Sequence, residues 1–160
     1  MNAAAEASLL HRQLRALGTP ERATGERAYL KSELRHLGTS VPATRRVVTS
    51  WLRSHRDLTH DDLFTLADAL WAYPVHECRM AAVELLVAKP ALIGVDDVPW
   101  LYNTLRDCRT WALLDTIAGS VPQATDYPPG CHFSGRCPRE MEGCAAIEPA
   151  LVERTDGHSV

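Results

Sequence analysis

Long apolar runs are missing from this chain. No stretch approaches the roughly 18 consecutive apolar residues needed to cross a bilayer. The opening Met1-Asn-Ala-Ala-Ala-Glu6 lacks a basic segment followed by an apolar one, which argues against a secretory leader. A soluble, cytoplasmic protein without membrane insertion is expected. Convincing two-residue alternation is also absent, which argues against a sheet. The five cysteines are odd in number and unevenly placed, which argues against a disulfide framework. Cys78 and Cys108 fall in helical patterns and read as small buried apolar residues. Cys131, Cys137 and Cys144 cluster towards the end of the chain.

At 160 residues, 46% apolar and 23% charged, the chain is long enough for one domain with an appendage. The net charge of −3 conceals a division. Residues 1–56 carry ten Lys/Arg and four Asp/Glu, a balance of +6. Residues 57–123 carry four and ten, a balance of −6, and residues 124–160 three and six, a balance of −3. A basic first part favours a polyanion even within an acidic chain; the same arginines would equally serve to solvate helix surfaces.

Residues 1–123 read as helix after helix. Leu9, Leu10, Leu14 and Leu17 predict a first helix over 4–17, ended by Gly18. Pro20 opens a second over 21–37, with Leu30, Leu34 and Leu37, ended by Gly38. Ser40-Val-Pro42 begins a third over 42–55, proline suiting a first turn because its missing N–H would be unpaired there. Further helices are expected over 60–72, 75–88, 97–107 and 109–120, with Tyr73-Pro74 breaking the fourth. Short loops between amphipathic helices imply antiparallel pairs in a bundle or solenoid. After Gln123 the periodicity fades and Pro128-Pro129-Gly130 appears. A boundary is therefore expected near Gln123, between a helical domain (1–123) and an irregular cysteine-containing tail (124–160).

Within the seventh helix, Trp111 and Asp115 are four residues apart, so they share one face. An apolar plate beside a lone anion suits a cationic, ring-shaped group. A core tryptophan near a surface aspartate has the same spacing, and both readings stand on spacing alone. His36, His55, His60 and His76 show no metal-site spacing and read as surface or capping residues.

Five segments occur in order: Tyr29-Leu-Lys-Ser32, Leu37-Gly-Thr-Ser-Val-Pro-Ala43, Leu70-Trp-Ala-Tyr-Pro-Val-His-Glu77, Ala82-Val-Glu-Leu-Leu86 and Arg109-Thr-Trp-Ala-Leu-Leu-Asp115. Together they resemble the HEAT-like-repeat alkylpurine DNA glycosylases of the AlkD-type DNA alkylation repair family. The resemblance implies an all-α, HEAT-like solenoid of about seven helices here, whose basic concave face grips duplex DNA. It implies hydrolytic release of cationic N3- and N7-alkylpurines, with no metal or organic cofactor. By the same resemblance Asp115 is the catalytic aspartate and Trp111 the tryptophan lying against the lesion's sugar and backbone. Lys31, Arg35, Arg45 and Arg46 are candidates for phosphate contact. The family's array continues into helices that supply a further arginine and tryptophan, which no segment here matches. That leaves Leu113, Leu114, Ile117 and Val121 seeking partners and, unless the tail or another chain covers them, implies poor stability or self-association through the last helix. A non-enzymatic helical module binding DNA or a protein is the alternative.

The tail carries a second resemblance. Tyr127-Pro-Pro-Gly-Cys-His-Phe133, Gly135-Arg-Cys-Pro-Arg139, Cys144, Glu148-Pro-Ala-Leu-Val152 and Gly157-His158 are similar to the C-terminal segment of oligopeptide/dipeptide ABC transporter ATP-binding subunits. Cys131, Cys137 and Cys144 read first as free thiols of a flexible tail, and only weakly as ligands for zinc, with His132 as a fourth, or for an iron–sulfur cluster. No Gly-x4-Gly-Lys-Ser/Thr loop occurs, so ATPase function does not carry over. A natural fusion, a decayed gene and a misjoined gene each fit two resemblances meeting near Gln123.

Overall fold

The computed structural model describes residues 1–118 together with the isolated positions Glu142 and Ala146. The readings made on Val121, Cys131, Cys137 and Cys144 lie outside the described residues. Met1–Ala118 forms one compact unit. Among the described residues the regular structure is helical: α1 (Ala3–Leu17), α2 (Pro20–Tyr29), α3 (Val41–Ser54), α4 (His60–Trp71), α5 (His76–Ala88), α6 (Val98–Arg106) and α7 (Trp111–Ala118). Two single turns of 3-10 helix, Pro90–Leu92 and Val95–Asp97, join α5 to α6. This is the all-α, HEAT-like architecture.

The helix starts follow local chemistry. Asn2, Thr19, Ser40 and Thr59 each accept a backbone N–H with the side chain at an N-terminus, filling donors that a first turn leaves unpaired. Thr59 and Asp62 complete a reciprocal capping box. The centre of the unit is α5, which packs on α1, α3, α4 and α7. Its residues 76–78 and 80–86 are all buried, as expected of a helix enclosed on every side. Leu10, Leu14, Val48, Trp51, Leu63, Leu66, Leu70 and Leu85 form the main core around it.

The second helix departs from expectation. It ends at Tyr29 rather than at 37, and Lys31 takes a positive φ of 48°. Residues 32–36 then alternate buried and exposed, with Ser32, Leu34 and His36 inward. No strand forms there, in keeping with the expectation of no sheet; one isolated bridge joins Arg35 to Val75. The cause lies forty residues away. Fully buried Glu77 accepts the backbone N–H groups of Leu37 (2.8 and 2.9 Å), Gly38 (2.6 Å) and Thr39 (3.2 Å). Thr39 in turn donates its hydroxyl to the Leu14 carbonyl at 2.6 Å. A helix through 37 would withdraw these donors from the carboxylate. Leu34 and Leu37 are still buried, so the apolar pattern marked the right residues and the wrong backbone.

Gly38 (φ 80°) and Gly18 let two loops touch: a Cβ on Gly38 would lie 2.1 Å from the Thr19 carbonyl oxygen, and one on Gly18 2.1 Å from that of Leu37. Only glycine fits such an approach.

At the other end of the unit, His60 ties α4 to the turn before α6. Its Nδ1 lies 3.1 Å from Asp61 and its Nε2 2.8 Å from Asp97, while Asp97 also accepts the Gly94 N–H at 2.8 Å. The hydrogen bonds to Asp61 and then Asp97 raise the imidazole pKa above its usual 6.5. A pKa raised by folding means that the stabilisation is complete below that unfolded value and is lost as pH rises through the folded one. The melting-temperature gap between the parent and His60→Gln is therefore expected to be full below about pH 6.5 and to narrow as the pH is raised above it. A gap that stays constant would assign the stabilisation to the neutral ring.

Candidate functional site

Two packed contacts set the position of α7. On its inner side Leu113 is fully buried against Leu34, Met80 and Val83. Before its first residue, the carboxylate of Asp107 takes the Trp71 indole N–H (3.0 Å), pairs with Arg79 (3.1 Å) and accepts from Arg109 (3.2 Å). Burial pushes the Asp107 carboxyl up, yet the Trp71 N–H and the two guanidinium groups outweigh it and hold the pKa below the ordinary carboxylate value. The Arg79 guanidinium also covers the Trp71 ring at 4.9 Å. These contacts fasten the turn that leads into α7 to α4 and α5.

Two residues separate from Leu113 by roughly 200° of helical rotation, Trp111 and Asp115 face the other way. Trp111 is 51% exposed, which sets aside its reading as a core tryptophan. Asp115 is half-buried one turn on. Tyr29, at the end of α2, meets the Trp111 ring edge-to-face at 5.8 Å and is itself exposed. Such pairs hold ring orientation beyond simple area burial. Sequence reasoning did not single out Tyr29 as a site residue; its one signal was its place in the Tyr29-Leu-Lys-Ser32 motif.

The basic candidates divide. Lys31 follows Tyr29 by two residues and is exposed. Arg35 lines a polar cleft of about 300 Å³ with Ala23, Thr24, Arg27, Glu33 and His36. Arg109, two residues before Trp111, reaches Glu33 on that cleft at 3.9 Å. Arg45, by contrast, forms a two-pronged ion pair with Glu84 at 2.9 and 2.8 Å, so a phosphate would compete with a carboxylate for it. Arg46 is exposed and lines a separate depression with Gln13, Leu17 and Ser50.

Two histidines read as surface or capping groups are neither. His36 and His76 are buried and stack with their ring centroids 4.6 Å apart. Burial lowers both pKa values, that of His76 to about 4. Burial also pushes the Cys78 thiol up to about 12, which makes it unreactive. His55 does lie at the end of α3, with Nδ1 2.9 Å from the Trp51 carbonyl.

The family model described as DNA alkylation repair enzyme matches residues 10–125. The chain is a member of that family. Partial matches link it to a different group of curated proteins. It is 43% identical over 47 residues to the oligopeptide transport ATP-binding protein AppD of Bacillus subtilis, covering 29% of this chain and 14% of that protein. It is 34% identical over 93 residues to a probable peptide ABC transporter ATP-binding protein, y4tS, of Sinorhizobium fredii, covering 58% of this chain and 22% of that one. The chain thus spans less than a quarter of the length of these relatives. Among the described residues no helix is long and apolar enough to cross a membrane.

Proposed function

We propose that residues 1–123 form a glycosylase-type repair domain that releases cationic N3- and N7-alkylpurines from duplex DNA, and that the chain acts in the cytoplasm. The observation that carries this reading is the pairing on α7 of an exposed Trp111, braced by Tyr29, with Asp115 one turn away. Scission of the glycosidic bond of a cationic alkylpurine leaves an oxocarbenium-like sugar. Asp115 stabilises that positive charge and orients the attacking water. Trp111 covers the sugar through apolar and cation–π contact. Lys31, Arg35 and Arg46 contact phosphates; Arg45 joins them by leaving Glu84.

Incubation with duplex DNA containing 7-methylguanine tests the reading: free base is expected, and its absence rejects catalysis. Phosphate contact has a separate signature. Replacing Lys31 and Arg35 together by alanine is expected to lower the slope of log affinity against log salt by about 2, since each contact contributes roughly 0.9. An unchanged slope would remove both from the DNA face.

A second reading, a non-enzymatic module that binds DNA or a protein, draws on the basic balance of residues 1–56 and on the exposed Val98, Tyr102 and Leu114. It predicts salt-sensitive duplex binding without base release. An apolar groove of about 380 Å³ bounded by Val83, Leu86, Ile93, Leu101, Leu105 and Ile117 supports self-association through this end. Residues 124–160 are read as a separate tail shared with peptide transporter ATPases.

A further inference from the structure

We infer that Glu26, His36 and Glu77 form a binding site for a single zinc ion, on the polar cleft between α2 and the segment 32–36. Each offers one ligand atom, and these atoms lie within 4.8 Å of one another. His36 is 92% buried, and neither of its ring nitrogens has a partner. An imidazole buried with both nitrogens unmatched is costly for each polar group left so, and its stacking on His76 satisfies neither. A cation held between the ring and the two carboxylates removes that penalty.

The donor set selects the metal. One imidazole nitrogen with two carboxylate oxygens suits zinc, whereas calcium and magnesium favour oxygen alone. Glu77 can serve both the fold and the ion. Its Oε2 accepts one N–H, from Leu37, and a carboxylate oxygen has two lone pairs. Glu26 is half-buried on α2 and is paired at 2.7 Å with Arg22, whose side chain is 48% exposed, so it can turn towards the ion as Arg22 moves into solvent. The cleft in front of His36 leaves room for water as a fourth ligand, the usual completion of a three-ligand zinc site.

The test uses the full chain, free of any tag, with Cys131, Cys137 and Cys144 replaced by serine so that tail thiolates cannot take up zinc. Calorimetric titration with zinc chloride is expected to show one ion per chain. His36→Gln and Glu26→Gln are each expected to weaken binding by at least about tenfold, since even the outer partners of metal ligands are worth about 10- to 100-fold. Glu26→Gln changes a partly exposed residue and keeps the test open where His36→Gln fails to fold. No zinc uptake by the parent, or equal affinity in a folded variant, overturns the site.

Discussion

Asp115→Asn is expected to slow release of 7-methylguanine from duplex DNA by about a thousandfold under single-turnover conditions, with DNA affinity changed by less than about threefold. The magnitude comes from charge. A carboxylate roughly 4 Å from a developing positive charge, at an effective dielectric near 20, contributes about 4 kcal/mol. Realised only in the transition state, that is about three powers of ten in rate. Asparagine keeps the shape and a hydrogen-bonding oxygen and loses the charge, so the loss should fall on the chemical step rather than on binding. Asp115 is half-buried, one turn from Trp111 and on the side away from Leu113, which holds the inner side of the helix, and asparagine has nearly the same volume, so the substitution leaves the packing alone. Circular dichroism and melting should match the parent. A rate within tenfold of the parent's would mean that another group stabilises the sugar cation.

Glu77→Ala is expected to produce the largest loss of stability of any single change in the unit, about 4 kcal/mol. The carboxylate is fully buried and satisfies the N–H groups of three buried residues, Leu37, Gly38 and Thr39. Its removal leaves these donors unpaired, each at a cost of about 1–3 kcal/mol. It also removes the reason for the chain to remain extended there. Against a typical total of about 5–15 kcal/mol, the variant should melt about 15 °C lower. Glu77→Gln, which retains one accepting oxygen, should fall between. Chemical denaturation checks both, and a loss below about 1 kcal/mol for the alanine variant would show that the loop finds other acceptors.

The two substitutions mark what could be read from residue order. Apolar spacing identified six of the seven helices to within a few residues, and Trp111 with Asp115 as a shared face, because helical periodicity is a local property. The end of α2 was not legible. Leu30, Leu34 and Leu37 fit a helix by spacing, and the carboxylate that draws residues 37–39 out of it comes from α5. His36 and His76 escaped for the same reason: their burial and stacking depend on the pairing of Arg35 with Pro74 and His76 (3.0 and 2.9 Å), a contact between distant segments. The Tyr29–Trp111 contact likewise joins opposite ends of the unit, and no periodicity links them.

One helix stands apart in how it is held. None of the residues of α2 is buried; it is fixed by its capped start at Thr19, by the close approach of Gly38 to Thr19, and by the Tyr29 contact at its end. Its interior is therefore almost free of packing constraint. Glu21, Arg22 and Thr24 can be exchanged for residues of other charge without disturbing a core, whereas Arg27 donates to the Ser32 carbonyl and Glu26 faces the zinc site. Over evolutionary time, or in an engineered variant, the electrostatic character of the face that carries Tyr29 can drift while the core, the Glu77 anchor and α7 stay as they are.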